Sequence, residues 1–578
     1  MNTAVFESFR APNEGWAASF SHPLATSFAY ELEELIPTLR WAEEAALNGY
    51  WVAVMLSYEA APAFDAALKV HAGSGFPLAC SAIFDGPVRT PAKNSPKAYR
   101  TSSWQSQITS DVYQRVFHQV REHIASGDTY QVNYSFPLRS EFTGDSWNWY
   151  QDLCGAQQAG YCAYLDLGRY HILSLSPELF FRRQGNNLLA RPMKGTMPRG
   201  RWQEEDETKA NELSASQKDQ SENVMIVDLL RNDLGRVSVP GSVKVASLFS
   251  LEKYETLWQM TSTIESTVPP EVTLIDIFRA LFPCGSITGA PKVRTMEIIH
   301  ELEAFSRGIY TGTIGFLRPG GDCIFNVAIR TIVLDTQTSL ATFGVGGAIT
   351  ADSTPEGEYD ECVLKAFFLN RPRPDFRLLE TMLLEAGQYF LLERHLERIA
   401  ASCRYFEFLW NDGAARGALA EIRSTHSVGS WKVRLLLAKT GGIHSEVEEL
   451  PATTDQEVRV TFSSAPIDRA DPFLFHKTTN RIVYEDALRA PTACDDVILW
   501  NEDNEVTEST IANVVVELEG KKWTPPRTSG LLAGTFRDEL LQSGEISERI
   551  IYIDELCQAQ RVWLINSVRR WMPVVLVD

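Results

Sequence analysis

The chain has 578 residues, 44% of them hydrophobic and 22% charged, which is the composition of an ordinary globular protein large enough for two or more cores. Its formal charge of -20 argues against nucleic acid or an anionic membrane as a partner. The nine cysteines are scattered and contain no C-x-x-C pair, so they read as reduced thiols and not as a disulfide framework or zinc site.

The opening "MNTAVFESFRAPNEGW" has neither a basic n-region nor an apolar h-region. Apolar runs such as "WVAVML" are too short to cross a bilayer, so a cytoplasmic protein is expected. "DVYQRVFHQVREHIAS" and "SENVMIVDLLRNDLG" read as helices, and "YCAYLDL", "YHILSLS", "ELFFRR" and "IFNVAIRTIVL" read as strands. Long antiparallel strands with interspersed helices predict an α+β sandwich for residues 1–370. A seam rich in proline and arginine, "LNRPRPDFRLLE", places a boundary between Asn370 and Asp375. Residues 375–578 repeat the mixture, with "HLERIAASCRYFEF" helical and "VILWNEDNEVTES" a hairpin.

Three places carry candidate chemistry. In "RPMKGTMPRG", Lys194 sits between Pro-Met and Gly-Thr, sixteen residues after Glu178. Taken alone, the two read as a solvated surface pair. In "FPCGSITGAPKVRTMEIIHELEAF", a loop of small residues precedes Pro291, where a helix begins. Backbone N–H groups at such a start can hold a carboxylate. Met296, Ile299 and Glu303 share one face of that helix. After "GVGGAITADSTPEGEYDECVLKAF", Ser353, Thr354 and Pro355 signal a helix start, and Glu358, Glu361 and Lys365 fall on one face. Blandly read, these are solvated helices; functionally read, glutamates from both could jointly hold Mg²⁺.

The order of the local sequences decides between those readings. "GDTYQVNYSF", "SLSPELF", "RPMKGTMPRG", "ENVMIVDLLRNDLGRV", "FPCGSITGAPKVRTMEIIHELE", "YTGTIGF", "NVAIRT" and "GGAITADSTPEGEYDE" closely resemble the chorismate-utilising enzymes over residues 100–370. The combination of Lys194 with Gln131 resembles the members that aminate chorismate at C4. Anthranilate synthases usually carry a small residue at position 194, and the water-adding isochorismate and salicylate synthases a lysine at 131. The resemblance implies Lys194 as a nucleophile adding at C2 and Glu178 as the acid/base carboxylate. It further implies Mg²⁺ on Glu303, Glu358 and Glu361, and substrate contacts from Thr288, Tyr310, Arg330, Gly346, Gly347 and Lys365. Three positions depart from the family pattern: Gln259 replaces a frequent histidine, His300 a frequent acid, and Ala348 the last glycine of a carboxylate cradle.

In the second part, "LLERHLERIAAS", "PFLFHKTTNRIVYEDAL", "NEVTESTIANVVV" and "SGLLAGTFRDELL" resemble fold-type IV pyridoxal-phosphate enzymes over residues 375–578. The resemblance implies Lys477 as the lysine that binds the aldehyde of pyridoxal 5'-phosphate and Glu508 as partner of its pyridine nitrogen. Arg398 and the N–H groups of Thr535 and Phe536 would hold the phosphate. A homodimer through this module is expected. The Gly-rich segment that normally opens such a module is absent before "FRLLETM". The joint expectation is conversion of chorismate and ammonia to 4-amino-4-deoxychorismate, then loss of pyruvate to give 4-aminobenzoate. No glutaminase nucleophile motif appears, so a separate glutamine amidotransferase subunit is expected to supply ammonia. The alternatives are an anthranilate- or salicylate-type synthase fused to an aminotransferase, or a synthase with a non-catalytic second module.

Overall fold

The computed structural model describes residues 1–10, 15–73, 75–90, 99–370, 375–451, 457–489 and 494–577. The proposed seam at 370–375 therefore lies almost wholly outside the described residues. The chain forms two compact units, Met1–Pro198 with Ala210–Arg373, and Arg199–Lys209 with Pro374–Asp578.

The first unit is built on two ten-stranded sheets. Aromatic side chains fill the core shared by their strands, among them Phe6, Trp16, Phe20 and Phe316. Trp16 is fully buried, and its indole N–H donates to the Cys162 carbonyl at 2.7 Å, so no polar group is stranded there. Helices Leu32–Leu47, Gln217–Gly235 and Leu274–Leu281 pack on one sheet, and Ser110–Ala125, Ser146–Gln157, Lys292–Leu302 and Pro355–Ala366 on the other. Several begin at side-chain caps: Thr109 accepts from Val112 N, Ser216 from Asp219 N, and Thr273 forms a capping box with Asp276.

The run "IFNVAIRTIVL" is two strands, not one. Cys323–Val327 belongs to one sheet and Thr331–Asp335 to the other. The chain crosses between them through Arg330, held at φ 49°, a left-handed conformation that costs a side-chain-bearing residue energy. A matching crossing joins Tyr170–Ser176 to Leu179–Gln184, and Glu178 lies on it. Strand Met193–Pro198 carries Lys194 and continues Asn187–Arg191 along the same partner, Leu257–Thr267.

The second unit has a four-stranded sheet, including Leu378–Glu385 and Ser430–Leu437, and an eight-stranded sheet. Helix Leu392–Phe406 buries Leu396, Ile399 and Cys403. The expected hairpin is present as Asp496–Trp500 and Val506–Ser509, turning where Asn501 Oδ1 accepts from Asp503 N and Glu505 N. Segment Arg199–Lys209 is held in this unit by a 2.7 Å bond from Tyr405 OH to the Gly200 carbonyl and by Trp202 against Phe475. Both units mix helices with strands, as an α+β class requires. Among the described residues no helix is long and apolar enough to cross a membrane.

Candidate active sites

A cavity of about 280 Å³ in the first unit is lined by Glu178, Lys194, Tyr310, Arg330, Gly346 and Lys365, with others. Gly195 turns the chain just after Lys194 with φ +95°, and a Cβ there would press on Asp219 and Met260. Gln259 braces the same turn: its Nε2 donates to the Gly195 carbonyl at 2.8 Å and its Oε1 accepts from Thr196 at 3.2 Å. Among the described residues no hydrogen bond or ion pair engages the Lys194 ammonium, and burial lowers its pKa.

Burial pushes the Glu178 carboxyl up to about 7, partly offset by a 2.7 Å bond from the Ser286 hydroxyl and by the charge of Lys194. Arg330 is buried and donates to Gln157 Oε1 at 2.6 Å. No carboxylate among the described residues pairs with it. Lys365 donates to the Gly346 carbonyl at 2.9 Å and pairs with Glu361 at 2.8 Å. Gly344 has its own reason: a Cβ there would stand 2.3 Å from the Tyr310 ring, so its bareness admits that ring.

Besides Glu178, the carboxylates of this cavity come from two helices. Glu358 and Glu361 belong to Pro355–Ala366, while Asp219 and Glu222 come from Gln217–Gly235. The sequence reading missed the second pair, which sits at i, i+3 spacing on one helix face. Burial raises both Glu222 and Glu358, as expected for carboxylates gathered with too little counter-charge. Coulombic attraction from Lys365 lowers Glu361. Among the described residues no group of three or more His, Cys, Asp or Glu side chains is gathered into a metal cage. Mg²⁺ needs only one or two carboxylates, completed by water and substrate oxygens, so hard oxygen donors on facing helices suit it.

Three expected residues are not in this cavity. Glu303 is the C-cap of Lys292–Leu302, and its carboxylate is consumed by Arg307 and by the Ser135 N–H and hydroxyl. It lines a separate 50 Å³ cavity, which removes it from the set around Glu358 and Glu361. Thr288 is buried under the turn with its hydroxyl on the Cys284 carbonyl, while Ser286 and Ile287 face the cavity instead. Gly347 lies behind the wall, where a Cβ would come 2.8 Å from Glu358 Oε2, and Ala348 faces inward. The His300 ring packs tilted against His71, centroids 4.5 Å apart, and also lies away from the lining. Gln131 is fully buried, with no partner for either amide atom among the described residues.

The second unit gathers Lys477, Glu508, Arg398 and the start of helix Thr535–Gln542. Burial lowers Lys477 to about 8, with Arg398 adding to the effect, and no hydrogen bond or ion pair among the described residues engages its ammonium. Burial pushes Glu508 up to about 7 against the 2.8 Å bond donated by Tyr484 OH. Against the cost of burial, Arg398 and His395 hold Glu380 down at about 2. Burial lowers the His395 pKa; its Nδ1 lies 2.6 Å from a Glu380 carboxylate oxygen and its Nε2 3.2 Å from the Thr535 hydroxyl. Arg398 reaches past this pair to the Ala533 carbonyl at 3.0 Å. An unengaged amine, a buried carboxyl, and an arginine beside a helix N-terminus suit pyridoxal phosphate. Glu380, His395 and Tyr484 were not singled out from sequence.

The model of the class IV amino-transferases matches residues 377–577. Aminodeoxychorismate synthase component 1 of Salmonella typhimurium is 45% identical over 275 residues, covering 48% of this chain and 59% of that protein. Its Escherichia coli counterpart is 44% identical over 261 residues, covering 45% and 57%. The chain thus spans under two thirds of the length of these relatives. Anthranilate synthase component I of Streptococcus pneumoniae superposes with a TM-score of 0.51 at 25% identity, covering 58% of this chain and 85% of that one. The model of the chorismate binding enzymes matches residues 6–371, well over half the chain, and with the cavity around Lys194 on its sandwich the protein belongs to that family.

Proposed function

We propose that the first site converts chorismate and ammonia to 4-amino-4-deoxychorismate, and that the second removes pyruvate from that product to give 4-aminobenzoate. The two sites would belong to modules spanning residues 1–370 and 375–578, a division supported by the two family matches. The observation that carries the reading is the Lys194 amine: half-buried, unengaged, and in one cavity with the protonatable Glu178.

An ordinary lysine, with pKa about 10.4, is almost wholly protonated near neutrality and is a poor nucleophile. Burial frees the Lys194 amine to attack C2 of the ring while the C4 hydroxyl departs. Glu178, with its pKa near 7, can give that hydroxyl a proton and later take one from the ammonia that attacks C4 and expels the lysine. Arg330, with no carboxylate partner among the described residues, offers a guanidinium to a substrate carboxylate. Glu222, Glu358 and Glu361, with Asp219 beside them, would hold Mg²⁺, which supplies positive charge for the ring carboxylate. Ammonia would come from a separate glutamine amidotransferase, a reading supported by the relatives' designation as component 1.

In the second site Lys477 would hold pyridoxal phosphate, with Glu508 on its pyridine nitrogen and Arg398, Thr535 and Phe536 on its phosphate. Bound there, the cofactor supplies an electron sink. Lys477, with its pKa lowered to about 8, is suited to take the proton from C4 of the substrate. Glu508, held by Tyr484, would be kept in place to partner the ring nitrogen.

The test is product analysis of the purified protein given chorismate, ammonium, Mg²⁺ and pyridoxal phosphate. 4-Aminobenzoate and pyruvate are expected in equal amounts. Anthranilate or salicylate as the aromatic product would overturn the reading.

A further inference from the structure

Arg307 spends every side-chain donor inside the protein. Its Nε and Nη2 grip the two oxygens of Glu303 at 2.8 and 2.6 Å. Nη2 also donates to the Asn133 carbonyl at 2.7 Å, and Nη1 donates to the Ile287 carbonyl at 3.1 Å and the Thr311 hydroxyl at 3.3 Å. Both side chains are only 3% exposed. Glu303 in turn accepts the N–H and hydroxyl of Ser135, each at 2.8 Å. Glu59 accepts the Arg307 and Gly308 N–H groups, and the Tyr58 ring lies 4.6 Å from the guanidinium.

Two of these bonds end on walls of the reaction cavity. Asn133 and Ile287 line it, and so does Tyr310, three residues after Arg307. Ser286, beside Ile287, donates to Glu178. A buried ion pair is weak evidence for stability, since well-packed apolar residues often do as well. Here an apolar replacement would leave the Ile287 and Asn133 carbonyls without their donor and release the turn that carries Ser286.

We propose that Glu303 and Arg307 act as one positioning pair for the first reaction, fixing the Ser286–Ile287 turn so that the Ser286 hydroxyl stays on Glu178. This rests on the acid/base reading of Glu178 given above. The groups facing Glu178 are Ser286, Lys194, Cys284 and the Met193 backbone. Those facing Arg307 are Glu303, Tyr58, Glu59 and Tyr310. The Ser286 bond lowers the Glu178 pKa, so loosening the turn raises it. The pH above which kcat falls must then move upward.

The experiment compares Arg307→Lys, Glu303→Gln, Ser286→Ala and the Arg307→Lys/Ser286→Ala double variant in the full chain, following chorismate amination. Each single variant is expected to lose about 10- to 100-fold in kcat, with a smaller change in KM for chorismate. The alkaline limb should shift upward in all of them. The double variant should lose no more than the worse single one, because both changes release one contact. The Mg²⁺ concentration giving half activity should stay put. Multiplying losses, an unmoved pH profile, or a tenfold higher Mg²⁺ requirement in Glu303→Gln would each overturn the proposal. Thr311→Val removes only one hydroxyl from the network and serves if Arg307→Lys does not fold; an unmoved alkaline limb there counts against the pair equally. Absence of aminated product from the unsubstituted protein would overturn the functional reading itself, a result separate from any difference among variants.

Discussion

The two lysines make an instructive pair. Lys194 lies on a strand of the sandwich and Lys477 in a loop whose carbonyl accepts from Leu379 N, yet each amine is unengaged and each has a carboxyl near it pushed up to about 7 by burial. Their surroundings differ. Around Lys194 the charges are loosely matched, with no acid paired to Arg330 among the described residues and Glu222 and Glu358 raised by burial. Around Lys477 they are settled in advance, since Glu380 already holds Arg398 and His395 and sits at about 2. A site with unmatched charge suits a substrate and cation that bring their own. A site already paired suits a cofactor that must stay in one orientation through many turnovers.

The sharpest way to break the comparison is to remove each lysine. Lys477→Ala is expected to lower 4-aminobenzoate formation by about 10⁴ or more while chorismate is still consumed, and Lys194→Ala to do the reverse with supplied aminodeoxychorismate. Product chromatography on both variants checks this. Loss of both reactions in either variant would mean the sites do not work separately.

Metal removal should also divide the sites. Exhaustive chelation is expected to stop chorismate amination and leave lyase turnover of supplied aminodeoxychorismate unchanged, with Mg²⁺ restoring the first. Glu222→Gln and Glu361→Gln should each raise the Mg²⁺ needed for half activity about tenfold or more. Amination that persists after chelation removes the metal from the mechanism.

Glu178→Gln is expected to cost about 10² to 10⁴ in kcat for amination, the range for a general acid/base, with the thermal midpoint nearly unchanged. Parental turnover in that variant would reassign the proton transfers. Glu380→Gln tests the settled site instead: it strands Arg398 and should destabilise the second unit by about 3–5 kcal/mol, measured by denaturant titration.

The smallest expected effects are in pH. Amination should rise as Lys194 sheds its proton and fall as Glu178 loses its own through about 7, giving a bell-shaped kcat profile. Glu380, depressed to about 2 from a free value of about 4.3, contributes stability that is complete above the free value and lost as pH falls through 2. Acid should therefore loosen the second unit in that window, followed by its near-ultraviolet circular dichroism. A second unit equally stable from pH 5 to 2 would remove Glu380 from that role.

Motif order was enough to pick out Lys194, Glu178, Lys477 and Glu508, because each lies in a local stretch whose neighbours are themselves distinctive. Asp219 and Glu222 escaped because "QKDQSENVMIVDLL" reads as an ordinary amphipathic helix, and nothing local tells which polar face meets a cavity. Glu303 was misplaced for a related reason. Its spacing puts it beside the apolar stripe, but whether that face meets Glu358 or Arg307 depends on how the helix seats on strand Gln131–Thr143.

Helix and strand periods, the α+β class and the reactive residue types were determined by the sequence alone, because they depend on residues a few positions apart. Only the tertiary structure decided that "IFNVAIRTIVL" splits between two sheets at Arg330, that Arg199–Lys209 joins the second unit, and that carboxylates over a hundred residues apart share one cavity. Those outcomes rest on long-range packing and on the burial of charge. Burial moves Glu178 and Lys194 towards each other in pKa, which a solvated surface pair would not show.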